Sequence, residues 1–315
     1  MTAHSPQVAD RRLRGMPPDL DRRHRCAGDA AAGEDEQLLV TRLDDLADRL
    51  SVLESLLVAF SGGADSAFLL AAAVRALGTT RVVAATAYSD SLPMSERAPA
   101  GEFCTALGVR HVTPRTREID RAGYRTNGAD RCYFCKSELL DVLTPVAHDL
   151  GLAAVATGTN ADDAVAGFRP GIRAAAERGA LTPLRDAGLT KAQVREASRR
   201  WGLGTWNKPA AACLSSRIAY GISVTPNRLA RVERAEVAVR LVATAEGIAL
   251  RNVRVRDLGD RARVEVDCAA VGRVTRSAKV LAAVRAAGFE SVEIDSRGFR
   301  SGSMNESLPG AARYG

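Results

Sequence analysis

Residues 58–77, VAFSGGADSAFLLAAAVRAL, set an apolar run against Ser61-Gly62-Gly63, then Asp65 and Ser66, then a second apolar run. A short apolar run bounded by glycine reads as a buried strand, and Asp65 to Leu77 reads as a helix ended by Gly78. Two glycines at that handover let something approach the backbone closely. Phosphate suits such a place, because the first N–H groups of a helix have no internal partner and the helix dipole favours negative charge. Ser61 and Ser66 add hydroxyl donors. Asp65 beside a polyphosphate has a use with a divalent cation or as a cap. A glycine-rich turn with no ligand is the plain alternative, and the full string S-G-G-x-D-S at this junction weighs against it.

The rest of the chain supports that frame. Leu43, Leu46, Leu50 and Leu53 recur at helical spacing from Thr41 onward, and LLVAF follows as a strand. RVVAATAY predicts a second strand, Met94 to Leu107 a helix, VRHVTP a third strand, Cys132 to Leu150 a helix and AAVATGT a fourth strand. This alternation predicts an α/β fold, a parallel sheet with helices on both faces. Thr190 to Trp201 is a further helix opened by a Thr190-x-x-Gln193 capping box, and Thr225-Pro226 opens another that runs to about Glu246. After that, NVRVRDLGDRARVEVD predicts a hairpin, SAKVLAAVRAAGF a helix and SVEID a strand, which together make a smaller C-terminal α+β domain. The expected organisation is a disordered extension over 1–38, the sheet domain over 39–208, the smaller domain over 209–303 and a tail over 304–315.

With 315 residues, 46% hydrophobic and 26% charged, the chain has the composition of an ordinary globular protein, and no apolar run approaches membrane-span length. The formal net charge of +7 fits a nucleic-acid binder and equally an enzyme for phosphorylated anions. Six cysteines in a chain this long do not form a small secreted disulfide framework, and the polar, Arg- and Asp-rich start has no secretory h-region. A reducing cytoplasm is therefore expected.

The Lys-Ser/Thr of Walker A and the G-x-G-x-x-G of the dinucleotide fold are both absent. S-G-G-x-D-S after a first buried strand resembles instead the PP-loop of the N-type ATP pyrophosphatases, which activate a carboxylate or carbonyl oxygen by adenylation. A second loop, TGTNADD over 157–163, follows the fourth strand, so Gly158, Thr159 and Asn160 fall on the rim where a doubly wound sheet binds ligands. An ordinary polar connection there stands level with a nucleotide role.

The stretch WNKPAAACLSSRIAYG, residues 206–221, sets one cysteine, Cys213, among small residues four positions before Arg217. Lys208 and Arg217 would favour a thiolate. A lone cysteine is ordinarily a small buried hydrophobe, but a loop of Pro, Ala, Ser and Arg is not an apolar helix face, and a reactive thiol is expected.

SGGADS, RCYFCKSELL, TGTNADD, RPG, PAAACLSSR, YG and VRVRDLGDRARVEV, in that order and over about Leu39 to Ser303, together resemble the LarE family. These are ATP-dependent sacrificial sulfur transferases of nickel-pincer nucleotide biosynthesis. The resemblance implies that ATP adenylates a carboxylate of pyridinium-3,5-biscarboxylic acid mononucleotide, that Cys213 displaces AMP to form a thioester, and that the Cβ–S bond then breaks to leave dehydroalanine. It implies ATP and Mg2+ as cofactors, with Ser61, Gly62, Gly63, Asp65, Ser66, Gly158, Thr159 and Asn160 around the nucleotide. It implies a homo-oligomer and a small nucleotide substrate, with Arg217 among the substrate-binding residues. Some relatives instead bind a 4Fe-4S cluster through three cysteines. This loop carries one cysteine, so a cluster is not expected. The metal site and the base for the elimination stay unidentified.

Other constellations have two readings. Arg254 and Arg256 share one face of a strand, opposite Val253 and Val255. Paired guanidinium forks suit a nucleotide phosphate, alternation of this kind usually marks a solvated salt-bridged face, and the resemblance favours the phosphate. Cys132 and Cys135 form a C-x-x-C read mainly as packing, Tyr133 and Phe134 suit a pyridinium ring or a core, and Glu233 and Glu236 suit a metal or plain surface. The four histidines have no metal-ligand spacing, and His111 reads as a strand-edge residue. A tRNA thiolase of the same superfamily, favoured by the charge, would need an RNA-binding module. None is recognisable, so nucleic acid is not the expected partner.

Overall fold

The computed structural model describes residues 27–165, 170–209, 213–300 and 302–307. Residues 1–26 of the expected extension, Arg169 of RPG, residues 210–212 of the cysteine loop and residues 308–315 of the tail lie outside them.

Helix α1 runs over Ala27–Ser51. Its start lies ahead of Thr41, so residues 27–38, expected to be disordered, are helical. The segment AGDAAAGEDEQ is rich in Ala, which carries high helix propensity without an apolar stripe to announce it. Leu39, Leu46 and Leu50 are its buried face.

Strands β1 (Leu56–Ala59), β2 (Val82–Ala85), β3 (Arg110–Val112) and β4 (Ala154–Thr157) form one parallel sheet in the order β3-β2-β1-β4. Val58 registers with Ala84 on one side and Ala156 on the other. β1 is buried on both faces, as its unbroken apolar run requires. Leu56, Val58 and Phe60 join one core, while Leu57 and Ala59 join another.

The first core is closed by α1, α2 (Ala64–Leu77), α3 (Met94–Ala106) and α9 (Lys191–Arg200). Between these come α4 (Ala122–Thr126), α5 (Arg131–Asp149), α6 (Ala161–Val165), α7 (Pro170–Glu177) and α8 (Pro183–Asp186). The second core receives Leu140, Leu143 and Ala147 of α5 and Ala175 of α7. Helices thus cover both faces of the sheet. The Thr190 capping box is formed as expected, with Gln193 N–H on Thr190 Oγ1 at 3.3 Å.

The smaller domain opens with α10 (Pro226–Ala245), capped by Thr225. β5 (Val253–Asp257) and β6 (Arg261–Val266) make the expected hairpin, with Val255 opposite Val264. β7 (Ser291–Ile294) joins β6 in parallel after a crossover through α11 (Val271–Arg276) and α12 (Ala278–Ala286). Asp257, fully buried at the end of β5, accepts from Arg228 at 2.7 Å and Arg231 at 2.6 Å, fastening α10 to the sheet.

The loop that carries Cys213 is sewn to the sheet domain. Asn127, in a left-handed conformation (φ 58°), donates its Nδ2 to the carbonyls of Ile218, Ala219 and Ile222. Arg131 donates to the Ser215 carbonyl at 3.0 Å, and Leu214 N–H donates to the Ser91 carbonyl at 2.8 Å. Buried backbone groups of a loop need partners, and here those partners come from the loop after β2 and from the α4–α5 turn.

Candidate functional site

Strand order β3-β2-β1-β4 makes the chain reverse direction beside β1. Ligands of open α/β sheets bind at that switch point, beyond the carboxyl ends of the strands. The loops after β1, β2 and β4 meet there around a cavity of about 440 Å³, the size of a small-molecule site. Ser61, Gly63, Asp65, Ser66, Gly158, Thr159 and Cys213 all line it. Gly62 sits within the first loop with φ +72°, which glycine adopts without strain.

The first loop is held by its own hydroxyls. Ser66 Oγ donates to the Gly63 carbonyl at 3.1 Å, accepts from Ser61 N–H at 3.2 Å and lies 3.0 Å from Ser61 Oγ. Gly63 caps α2 without a side-chain hydrogen bond. Asp65 Oδ1 is buried and has no hydrogen-bond partner. Burial pushes the Asp65 carboxyl up from its ordinary value; Asp163 adds to this, while Lys191, Arg195 and Asn160 oppose it. A buried carboxylate oxygen without a partner is costly and is the kind of group a cation would satisfy.

The second loop abuts the first. A Cβ on Gly158 would stand 2.8 Å from the amide nitrogen of Ser66. Asn160, buried, pairs reciprocally with Asp163: Asp163 N–H donates to Asn160 Oδ1 at 3.1 Å, and Asn160 N–H to Asp163 Oδ2 at 3.3 Å. Its amide therefore opens α6. Thr159 Oγ1 lies 3.1 Å from Thr157 Oγ1.

Cys213 enters the cavity from the smaller domain's side, with Sγ 2.9 Å from Ser215 Oγ. Lys208 bonds elsewhere, to the Gly62 carbonyl at 3.0 Å and to Glu96 at 2.5 Å, so it braces the first loop. Arg217 is buried, pairs with Glu236 at 2.9 Å and donates to the Cys213 carbonyl at 2.9 Å. Arg131 is a cation whose electrostatics involve the thiol. Burial works against its charge, but Cys213, Cys132, Tyr220 and Tyr124 together hold the guanidinium above its ordinary value.

Arg254 and Arg256 do not line this cavity. β5 is buried along its whole length, because its arginine face is covered. Arg256 pairs with Glu265 at 2.7 Å and donates to Ser303 Oγ at 2.9 Å. Arg254 stacks over Phe299 at 5.2 Å, and burial, with Arg217 beside it, pulls its guanidinium down to about 10. A solvated face is therefore not what the alternation encodes.

Glu233 accepts from Met94 N–H and Glu236 holds Arg217. Among the described residues no group of three or more His, Cys, Asp or Glu side chains is arranged to hold a metal ion. Phe134 packs against the core of the smaller domain, while Tyr133 lies under Arg173 and donates to Glu177. His111 sits on the edge strand β3 with its Nε2 on Thr86 Oγ1 at 2.8 Å. Glu118 and Lys136 also line the cavity. Nothing in their local sequence sets them apart, since both are placed there by segments distant in the chain.

A parallel sheet with helices on both faces, a glycine-rich turn at its switch point and a smaller α+β domain define the ATP pyrophosphatase-like α/β fold. No protein-family profile matches the chain. An uncharacterised protein of Synechocystis sp. is 37% identical over 274 residues, spanning 86% of this chain and 99% of its own. The pyridinium-3,5-bisthiocarboxylic acid mononucleotide synthase of Lactiplantibacillus plantarum is 33% identical over 271 residues, spanning 86% of this chain and 96% of its own. An uncharacterised protein of Methanocaldococcus jannaschii is 22% identical over 248 residues, spanning 79% of this chain and 92% of its own. The chain belongs to the LarE family.

Proposed function

We propose that the chain is an ATP-dependent sulfurtransferase of nickel-pincer nucleotide biosynthesis. It makes pyridinium-3,5-bisthiocarboxylic acid mononucleotide, the product named for its Lactiplantibacillus relative; each chain gives up the sulfur of its own Cys213 once, so two chains supply the two sulfurs of one product. The observation that carries the proposal is the meeting of Cys213 and the Ser61–Ser66 loop in one cavity.

The residues fit a nucleotide and its cation. The close contact of Gly158 with Ser66 leaves backbone rather than side chain at the loop junction, and the partnerless Asp65 Oδ1 suits Mg2+. When bound, Mg-ATP supplies an adenylate leaving group on a carboxylate that is otherwise a poor electrophile. The amides at the start of α2 and the Ser61 and Ser66 hydroxyls orient the phosphates. Cys213, as thiolate, attacks the activated carbonyl carbon. AMP leaves, and a thioester joins substrate to protein. A base then takes the Cα proton of Cys213, Cα=Cβ forms, Cβ–S breaks, and the electron pair of that bond leaves with the thiocarboxylate. Dehydroalanine remains at 213. Arg254 and Arg256 receive the substrate phosphate, whose oxygens the planar guanidinium fork matches with two parallel N–H donors. The ATP, substrate and residue roles also follow the family resemblance.

The test is a single-turnover assay with the biscarboxylic mononucleotide and Mg-ATP, following pyrophosphate and thiocarboxylate. Wild-type protein should release both. Cys213→Ser should release pyrophosphate and form no thiocarboxylate, because a seryl oxygen has no sulfur to give. Full sulfur transfer by Cys213→Ser would overturn the proposal.

A further inference from the structure

The carbonyl oxygen of Cys213 is held by an unusual set of donors. Ser216 Oγ donates to it at 2.7 Å, Arg217 Nη1 at 2.9 Å and Ser216 N–H at 3.0 Å. One of these is a buried guanidinium, fixed by Glu236 through Nε at 2.9 Å and Nη2 at 3.2 Å. A neutral peptide carbonyl does not need three donors, one of them charged. An oxyanion does, and these distances are those of an oxyanion hole.

Removing a proton from the Cα of a residue places negative charge on that residue's own carbonyl oxygen, as an enolate. The charge then returns to expel a group from Cβ. For Cys213 the oxygen that would carry it is the one so held.

A carboxylate without a cationic partner among the described residues shares the cavity. Glu118 is buried, lines the cavity with Cys213, and accepts from Ser89 Oγ at 2.6 Å and Ser91 Oγ at 2.5 Å, both on Oε1. Among the described residues no cation pairs with it and Oε2 has no partner. The backbone carbonyl of the same Ser91 accepts from Leu214 N–H at 2.8 Å, which fixes the neighbour of Cys213 to the loop that orients Glu118. The other carboxylates of the cavity have different work. Glu96 pairs with Lys208, Asp163 opens α6, and Asp65 belongs to the glycine-rich turn.

We propose that Cys213 stands in an elimination site, in which Arg217 and Ser216 stabilise the enolate on its carbonyl oxygen and Glu118 removes its Cα proton. This rests on the sulfur-transfer reading above. The step is balanced. The Cα proton passes to Glu118 Oε2, the C–H pair becomes the enolate and then the Cα=Cβ bond, and the Cβ–S pair leaves on the thiocarboxylate. No oxidant or reductant is needed. Arg217 then serves the protein's own backbone rather than the substrate.

The test is rapid-quench intact-mass analysis of wild type, Ser216→Ala, Arg217→Lys and Glu118→Gln with the biscarboxylic mononucleotide and Mg-ATP. Wild type should pass through a covalent substrate adduct to a protein lighter by the mass of one hydrogen sulfide. Each variant should form the adduct at a near wild-type rate and convert it slowly, by about 10²–10³-fold for one lost donor. Glu118→Gln should also lose the pH dependence of adduct decay. A merely structural role would instead slow adduct formation. Ser216→Ala removes only a hydroxyl, so it keeps the test valid if Arg217→Lys fails to fold. Variants that decay like wild type, or a stall produced by Lys136→Met and not by Glu118→Gln, would overturn the inference. A wild type that never forms the adduct or loses the sulfur would overturn the sulfur-transfer reading itself.

Discussion

The backbone of Gly158 rests on the first turn of α2 so closely that a Cβ there would lie 2.8 Å from the Ser66 amide nitrogen and 2.9 Å from its Cα. The atoms met are backbone, which cannot swing aside. Loops that follow β4 and β1 are locked in this way into one rim.

Gly158→Ala should therefore force the two loops apart. Overpacking of this kind costs about 1–3 kcal/mol, and the displaced amides should no longer match a phosphate. The expected outcome is a modest fall in melting temperature with a disproportionate loss of ATP affinity, read by calorimetry. Wild-type affinity in the variant would show that the contact does not shape a nucleotide site.

Asp65→Asn should separate stability from activity. Burial raises the folded-state pKa of Asp65, so the folded protein binds the more protons and stability falls as pH rises from the ordinary Asp value through the raised one. Asparagine removes that dependence. The ligand-free variant should match or exceed wild-type stability above this window and lose the corresponding slope in its pH–melting profile. Pyrophosphate release should fall at least about a hundredfold, or about 2.7 kcal/mol of barrier. An unchanged pH profile would contradict the burial argument.

The two hairpin arginines should behave differently. Arg256→Ala leaves Glu265 buried without its partner, and breaking a buried pair in this way costs about 3–5 kcal/mol. Arg254→Met removes a guanidinium already weakened by burial and should cost little stability. Binding of the mononucleotide should weaken by about 1.5–3 kcal/mol through loss of a charge-assisted contact. Titration of both variants with substrate, beside their thermal melts, separates the roles. Equal stability losses with unchanged substrate binding would assign both arginines to the fold.

Much of the fold is legible where one local pattern carries the information. The capping box at Thr190 and the Thr225-Pro226 helix start are satisfied within a few residues of themselves, and the strand-to-helix junction at 61–66 needs only its glycines. The α1 start is not legible in the sequence because a helix start rich in Ala and acidic residues has no periodic apolar signal before Leu39. Arg254 and Arg256 read either as a phosphate-binding pair or as a solvated salt-bridged face, since alternation says which residues share a side and not what covers it. Here Glu265, Ser303 and Phe299 cover it. Glu118 is invisible in the sequence for the same reason. Its burial depends on Ser89 and Ser91 from another loop, and TREIDRAGYR looks like surface. Arg217 reads as a substrate ligand from its place after Cys213; its hydrogen bonds to Glu236 on α10 and to the Cys213 carbonyl could not be read from that local pattern.

Everything in the proposed reaction turns on Cys213 as the source of the sulfur. Peptide mass spectrometry after one turnover with the biscarboxylic mononucleotide and Mg-ATP tests it most directly. Cys132→Ser and Cys135→Ser are run beside wild type. The expected result is dehydroalanine at position 213 in all three, one residue converted per thiocarboxylate formed, and no conversion without ATP. An intact Cys213 after thiocarboxylate has formed, or several thiocarboxylates per chain on addition of sulfide, would contradict it.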